Sequence, residues 1–323
     1  MKSKSMIFLV RWGLRRNVLN SLALSVALLL QGGLTSNAAE ERDLVLVAGQ
    51  SNAVGFDAYA EQLPADPSDT RVMFWWRAGD PPPDEHDSTS ARQWTHLQVQ
   101  PKGNPIPRNA PPEQAPAEGL KRQYGNFKSK DGGFGPEMGF AREWSGRQGR
   151  ALAIVKAAFS GTGMSTDWNS ADPGPAGACY RALVSEAREA IAEASKKGVR
   201  LRPRALLWVQ GENDANRIHA PDYERLLGAM LGKLREELGA PEMPAFLAVN
   251  THFGNDKNPF VARVVEAQKA LAANPSNRAV YVDTDGAQTL LPTQTHFTAE
   301  GTLEVGRRFA KALGEWEKLH PQP

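Results

Sequence analysis

Ser51 is the first residue whose type and setting could do chemistry. It stands in Gly49-Gln50-Ser51-Asn52, directly after the apolar run Leu44-Val45-Leu46-Val47-Ala48. A serine at the carboxyl end of a buried strand is where open α/β sheets carry their chemistry. Nearby backbone N–H donors there suit an acyl-transfer nucleophile, because they favour the negative charge that develops on the carbonyl oxygen. The same four residues also make an ordinary turn or helix cap.

Two further polar turns follow apolar runs. Ser160-Gly161-Thr162-Gly163 comes after residues 151–157, and Gln210-Gly211-Glu212-Asn213-Asp214 after residues 204–209. His296 lies in Thr295-His296-Phe297-Thr298, just before the last predicted helix. Parallel strands in one sheet would bring all four segments to one edge, giving a nucleophile, oxyanion donors and a base.

The elements that must position these residues alternate. Strands are predicted at 44–48, 71–76, 151–157, 204–210, 244–249 and 279–282, and helices at 136–148, 180–197, 222–238, 259–273 and 298–319. Short apolar strands between amphipathic helices predict a parallel sheet covered on both faces, a three-layer α/β/α sandwich. Residues 77–135 break the pattern. They hold Pro81-Pro82-Pro83, Pro101, Pro105, Pro107, Pro111-Pro112 and Pro116, and read as a long surface insertion with no core of its own.

The chain of 323 residues has a formal charge of +2, and no run of Lys and Arg forms a phosphate-tracking face, which excludes nucleic acid as an expected partner. Residues 1–38 read as an export signal: basic residues precede the apolar stretch at 19–30, and Ser36-Asn37-Ala38 fits a small-x-small cleavage site. The expected mature domain is 39–323, secreted or periplasmic, with no stable membrane association after cleavage; an uncleaved anchor is the alternative, although the apolar stretch falls short of a span. Cys179 is the single cysteine and reads as a packed thiol, so no intrachain disulfide is available.

Gly-Gln-Ser-Asn at 49–52, Gly-Pro-Glu at 135–137, Trp-x-Gln-Gly-Glu-x-Asp at 208–214 and His-Phe-Thr-x-Glu-Gly at 296–301 together resemble the SGNH-type carbohydrate esterases. The closer resemblance is to their sialate O-acetylesterase and acetylxylan esterase branch. It implies an SGNH or flavodoxin-like α/β/α hydrolase fold and a serine esterase that removes O-acetyl groups from a polysaccharide or sialic acid, with no cofactor and no metal. Ser51 resembles the nucleophile and His296 the base. The oxyanion donors would be the Ser51 and Gly161 backbone N–H groups and one side-chain amide, either Gln210 or Asn213. Gln50, Asn52, Trp168 and Asp167 are the expected substrate contacts.

One departure bears on mechanism. The family's aspartate three residues before the histidine is Thr293 here. Glu212 is the expected replacement, with Asp285 or Asp283 next, or the serine and histidine act as a dyad. Loss of the acid also motivates an alternative, a noncatalytic carbohydrate-binding protein on the same fold. An esterase for longer acyl chains is the third reading, opposed by the lack of a contiguous apolar surface in residues 77–135.

Overall fold

The computed structural model describes residues 39–79, 88–103, 127–145 and 151–321. The predicted export signal lies outside the described residues, as do parts of the Pro-rich segment. Eight strands form one sheet: β1 (Glu40–Gly49), β2 (Met73–Gly79), β3 (Ser88–Thr89), β4 (Thr95–His96), β5 (Leu152–Phe159), β6 (Val199–Val209), β7 (Ala245–Ala248) and β8 (Ala279–Tyr281). Their order is β3-β2-β5-β1-β6-β7-β8, with β4 also on β2. All pairings are parallel except those of β3 and β4 with β2.

The helices are α1 (Ser51–Val54), α2 (Glu137–Ser145), α3 (Ala178–Lys196), α4 (Tyr223–Glu237), α5 (Pro259–Ala273) and α6 (Ala299–Leu319). Alternation along β1 shows why both sheet faces need cover. Leu44, Leu46 and Ala48 pack with residues of α3, α4 and α5, whereas Val45 and Val47 pack with residues of α1, α2 and α6. The predicted three-layer sandwich is the observed one. On the second face α2 and α6 approach closely through small residues: a Cβ on Gly139 would lie 2.1 Å from the Leu303 carbonyl oxygen, and one on Gly306 2.2 Å from that of Pro136.

The 77–135 segment departs from expectation. Its described parts enter the core: Leu97, Phe127 and Phe134 are buried against the α1 side of the sheet, and β3 and β4 extend the sheet edge. Antiparallel bridges join Gly133 to Tyr59 and to Gln100. Scattered apolar residues among prolines carry too little periodicity to reveal this; each supplies one anchor, and the anchors meet only after folding.

Lys156 is fully buried in β5. Its ammonium donates to Glu137 Oε1 at 2.9 Å, Gln100 Oε1 at 2.6 Å and the Val54 carbonyl at 2.8 Å. Glu137 Oε1 also accepts from the Gly135 N–H at 2.8 Å. Three donors meet three acceptors, so the cation is satisfied without water. The group joins β5, the start of α2, the Pro-rich segment and the end of α1, the turn that carries Ser51.

Candidate active site

Register sets the site. Gly49 at the end of β1 is level with Ala158 of β5 and Val209 of β6, so the turns that follow the three strands open side by side. Gly49 has φ +139°, and a Cβ there would sit 2.0 Å from the Val209 carbonyl oxygen. Only glycine fits such a turn. The chain then makes a single helical turn, α1, and Gly55 ends it at φ +84° with its N–H donating to the Ser51 carbonyl at 2.9 Å.

That stop returns the chain toward its own start. Asp57 thereby comes to the imidazole of His296, whose Nδ1 lies 2.7 Å from Asp57 Oδ2, and His296 Nε2 lies 3.0 Å from Ser51 Oγ. All three side chains are largely buried. The ring of Phe56 lies against the imidazole, centroids 4.9 Å apart at 40°. Burial alone would push the Asp57 carboxyl up, but the hydrogen bonds to His296 and Lys128 and the charges behind them outweigh it and hold the group below the usual aspartate range. An ionised Asp57 only accepts, so Nδ1 carries the imidazole proton and Nε2 offers its lone pair to the serine hydroxyl.

The acid expected from the third turn is therefore corrected. Glu212 does not bond to the imidazole: its Oε1 accepts from Asn52 Nδ2 at 2.7 Å and from the Asn250 N–H at 3.1 Å, and burial raises its pKa. Asp285 pairs with His252 Nε2 at 3.0 Å, and Asp283 accepts from the Asp285 N–H. Thr293 is exposed. Sequence does carry a signal for Asp57, since it is the one carboxylate between Asp43 and Glu61 and follows a helix-stopping glycine two residues earlier.

The histidine loop is fixed by amides. Asn52 Nδ2 donates to the Thr295 carbonyl at 3.2 Å, and Asn52 Oδ1 accepts from the Phe297 N–H at 3.0 Å. Asn250 Nδ2 donates to the Gln294 carbonyl at 2.7 Å. Asn52 thus clamps the residues on either side of His296 from the turn that carries Ser51. It and Glu212 position the site, and Asn52 is committed to that clamp, not to substrate.

The oxyanion side is framed by the other two turns. Gly161, at φ +70°, is exposed with open space about its Cβ position. Asn213 is exposed, and its Nδ2 lies 3.1 Å from a Cβ placed on Gly163. Gln210 is fully buried with its amide turned inward, donating to Asp214 Oδ2 at 2.5 Å and the Thr162 carbonyl at 3.1 Å. Of the two candidate amides, Asn213 is the one that solvent or substrate reaches. Asp214 joins the two turns, its carboxylate oxygens each 3.0 Å from the Met164 N–H.

The remaining expected substrate contacts are structural. Gln50 Oε1 accepts at 3.3 Å from Gln210 Nε2 and from the N–H groups of Gly211 and Asn213, tying the first turn to the third. Trp168 is fully buried, donates to Thr162 Oγ1 at 2.8 Å and packs edge-on to Trp208, so no face is left for a sugar. Asp167 Oδ2 accepts from the Gly163 N–H at 3.0 Å and from Thr166 Oγ1 at 2.6 Å, holding its own turn. Indoles and amides beside a site look the same in sequence whether they face inward or outward.

Comparison with solved structures finds the same fold in a protein from Arabidopsis thaliana, at 20% identity and TM-score 0.58 over 85% of this chain and 98% of that one. NanS matches at 18% identity and TM-score 0.56, over 87% and 99% of the two chains. A carbohydrate acetylesterase from Xanthomonas citri matches at 17% and 0.52, over 84% of this chain and 55% of its own. A sequence comparison with curated proteins gives no match. The profile of one family, however, matches residues 41–315, a span that holds every side chain of the site: the chain belongs to the carbohydrate esterases described as sialic acid-specific acetylesterases, which are carboxylic ester hydrolases.

Proposed function

We propose that the protein is an exported serine esterase that removes O-acetyl groups from a carbohydrate, an acetylated polysaccharide or sialic acid. The observation that carries this reading is the hydrogen-bonded line Ser51, His296, Asp57. Export rests on the sequence of residues 1–38.

In the first half-reaction Ser51 Oγ bonds to the acetyl carbonyl carbon while its proton passes to His296 Nε2. The oxygen that gains charge is stabilised by the Ser51 and Gly161 N–H groups and the Asn213 amide. Collapse breaks the bond to the sugar oxygen, which takes the proton from His296 and leaves as the free alcohol. Water then gives a proton to His296 and attacks the acetyl-serine; the serine oxygen leaves with that proton and acetate is released. Asp57 stays ionised throughout and stabilises the imidazolium at each stage.

The noncatalytic alternative was motivated by Thr293 in place of an aspartate. Asp57 removes that motive, because a carboxylate reaches the imidazole by another route. The test is acetate release from O-acetylated sugars and acetylated xylan by the protein lacking residues 1–38. Activity is expected in the wild type and lost in Ser51→Ala; equal release by both proteins overturns the reading.

A further inference from the structure

The carboxylate of Asp57 is held on both oxygens. Oδ2 faces His296, while Oδ1 lies 3.1 Å from Lys128 Nζ and accepts from the Tyr59 hydroxyl at 3.3 Å. Lys128 comes from the Pro-rich segment, seventy-one residues from Asp57 in sequence. Its backbone is fixed on both sides. The Lys128 N–H donates to the Phe56 carbonyl at 3.0 Å, and the neighbouring Phe127 is buried. Farther along, the Phe134 N–H donates to the Ala58 carbonyl at 3.2 Å and the Ala60 N–H to the Gly132 carbonyl at 3.2 Å.

We propose that Lys128 is a positioning residue of this active site, a fourth member behind Ser51, His296 and Asp57 through which the Pro-rich segment sets the charge and orientation of the catalytic carboxylate. The inference rests on the esterase reading above. A carboxylate bonded only through Oδ2 is free to rotate about its side-chain torsions; one held at Oδ1 as well keeps Oδ2 in line with Nδ1. The Lys128 side chain is 58% exposed and that of Asp57 6% exposed, so the cation adds charge stabilisation without being buried itself. Among the described residues, the charged or titratable groups at Asp57 are His296, Lys128 and Tyr59, and the buried Glu212 is close enough to act on His296.

The direction follows. Removing Lys128 takes a cation from beside the Asp57–His296 pair, so the coupled pair takes up a proton at higher pH, and once protonated it offers no base to Ser51. In Lys128→Met the acid limb of the kcat–pH profile is expected to move to higher pH by about half a unit, the scale set by a partly exposed pair. kcat is expected to fall about threefold to tenfold with KM for 4-nitrophenyl acetate little changed, and Lys128→Arg to restore most of the loss. High salt narrows the gap between wild type and Lys128→Met, because an exposed cation is screened.

A second measurement needs no turnover. The Asp57 carboxyl, followed by carbon-13 NMR in both proteins, is expected to titrate at higher pH in Lys128→Met. An unmoved acid limb, or a loss equal in kcat at every pH and accompanied only by a lower Tm, overturns the proposal. An unmoved Asp57 titration overturns it even in a protein with no esterase activity, whereas absent activity in the wild type with a shifted Asp57 overturns the esterase reading alone.

Discussion

Asp57 Oδ2 lies 2.7 Å from His296 Nδ1, although Asp57 is six residues beyond Ser51 and two hundred and thirty-nine before the histidine. Ser51 and the carboxylate bonded to the imidazole thus come from one short stretch of chain, and His296 alone arrives from its far end.

The first consequence concerns that acid. Asp57→Asn keeps the shape but reverses the hydrogen-bond character, favouring the tautomer with its proton on Nε2. kcat is expected to fall by about 10⁴. Asp285→Asn is expected to stay within about threefold of wild type, since Asp285 is exposed and bonds to His252. Steady-state kinetics on 4-nitrophenyl acetate separate the two, and a crippled Asp285→Asn with an active Asp57→Asn refutes the assignment.

Much of this was legible in sequence, and the rest was not for definable reasons. The parallel strands and the long helices were readable because the strands end in apolar runs and the helices are amphipathic, whereas β3 (Ser88–Thr89) and β4 (Thr95–His96), two polar residues each, carry no such pattern. Ser51, Gly161 and His296 were readable because each follows or precedes an element at the same sheet edge. Asp57 was hidden because its role depends on the reversal at Gly55, not on any spacing to His296. Gln50, Asn52, Glu212 and Trp168 were read by proximity to the site; the fold turns all four inward, where amides and a carboxyl tie the turns to one another.

Glu212 illustrates the difference between touching the base and holding its loop. Glu212→Gln keeps an oxygen to accept from Asn52 Nδ2 and the Asn250 N–H, and is expected to retain wild-type turnover within about fivefold. Glu212→Ala takes this acceptor from both buried donors, leaving the Asn250 N–H without a partner and Asn52 Nδ2 with the Thr295 carbonyl alone, and is expected to lower stability by about 1–3 kcal/mol. Urea unfolding and turnover of the two variants check this. Loss of activity in Glu212→Gln with unchanged stability returns Glu212 to the reaction.

On the oxyanion side, Asn213 and Gln210 should separate by readout. Asn213→Ala is expected to lower kcat by about 10²–10³ with little change in Tm, the scale for one lost oxyanion donor. Gln210→Ala removes a buried amide that joins the first and third turns and is expected to lower Tm first. A kcat effect confined to Gln210→Ala would falsify the choice of Asn213.

Lys156 supports the turn of Ser51 through the Val54 carbonyl. Lys156→Met leaves Glu137 buried without its cation, and is expected to cost about 3–5 kcal/mol of stability. The double variant Lys156→Met, Glu137→Gln is expected to recover part of that loss, because no uncompensated charge is left. Denaturant midpoints of wild type, Lys156→Met, Glu137→Gln and the double variant test the point; additive losses sink it.

Asp214 gives a pH dependence of definite sign. It joins the second and third turns, and burial pushes its pKa up to about 6, against the pull of the hydrogen bonds from Gln210 and Met164. In the unfolded chain the group titrates near the ordinary value of 3.8. Between about pH 4 and pH 6 the native state therefore holds more protons than the unfolded state, and unfolding free energy falls as pH rises through that window. Above pH 6 the full penalty applies, roughly two units or about 3 kcal/mol. Asp57, with its lowered pKa, acts in the opposite sense and loses its contribution only as the pH falls below the aspartate range. Asp214→Asn retains an oxygen for the Met164 N–H and removes the ionisation, so its stability relative to wild type should improve by about that amount between pH 4 and pH 8. Urea unfolding of both proteins across this range tests it, and parallel curves would show that Asp214 does not titrate differently in the fold.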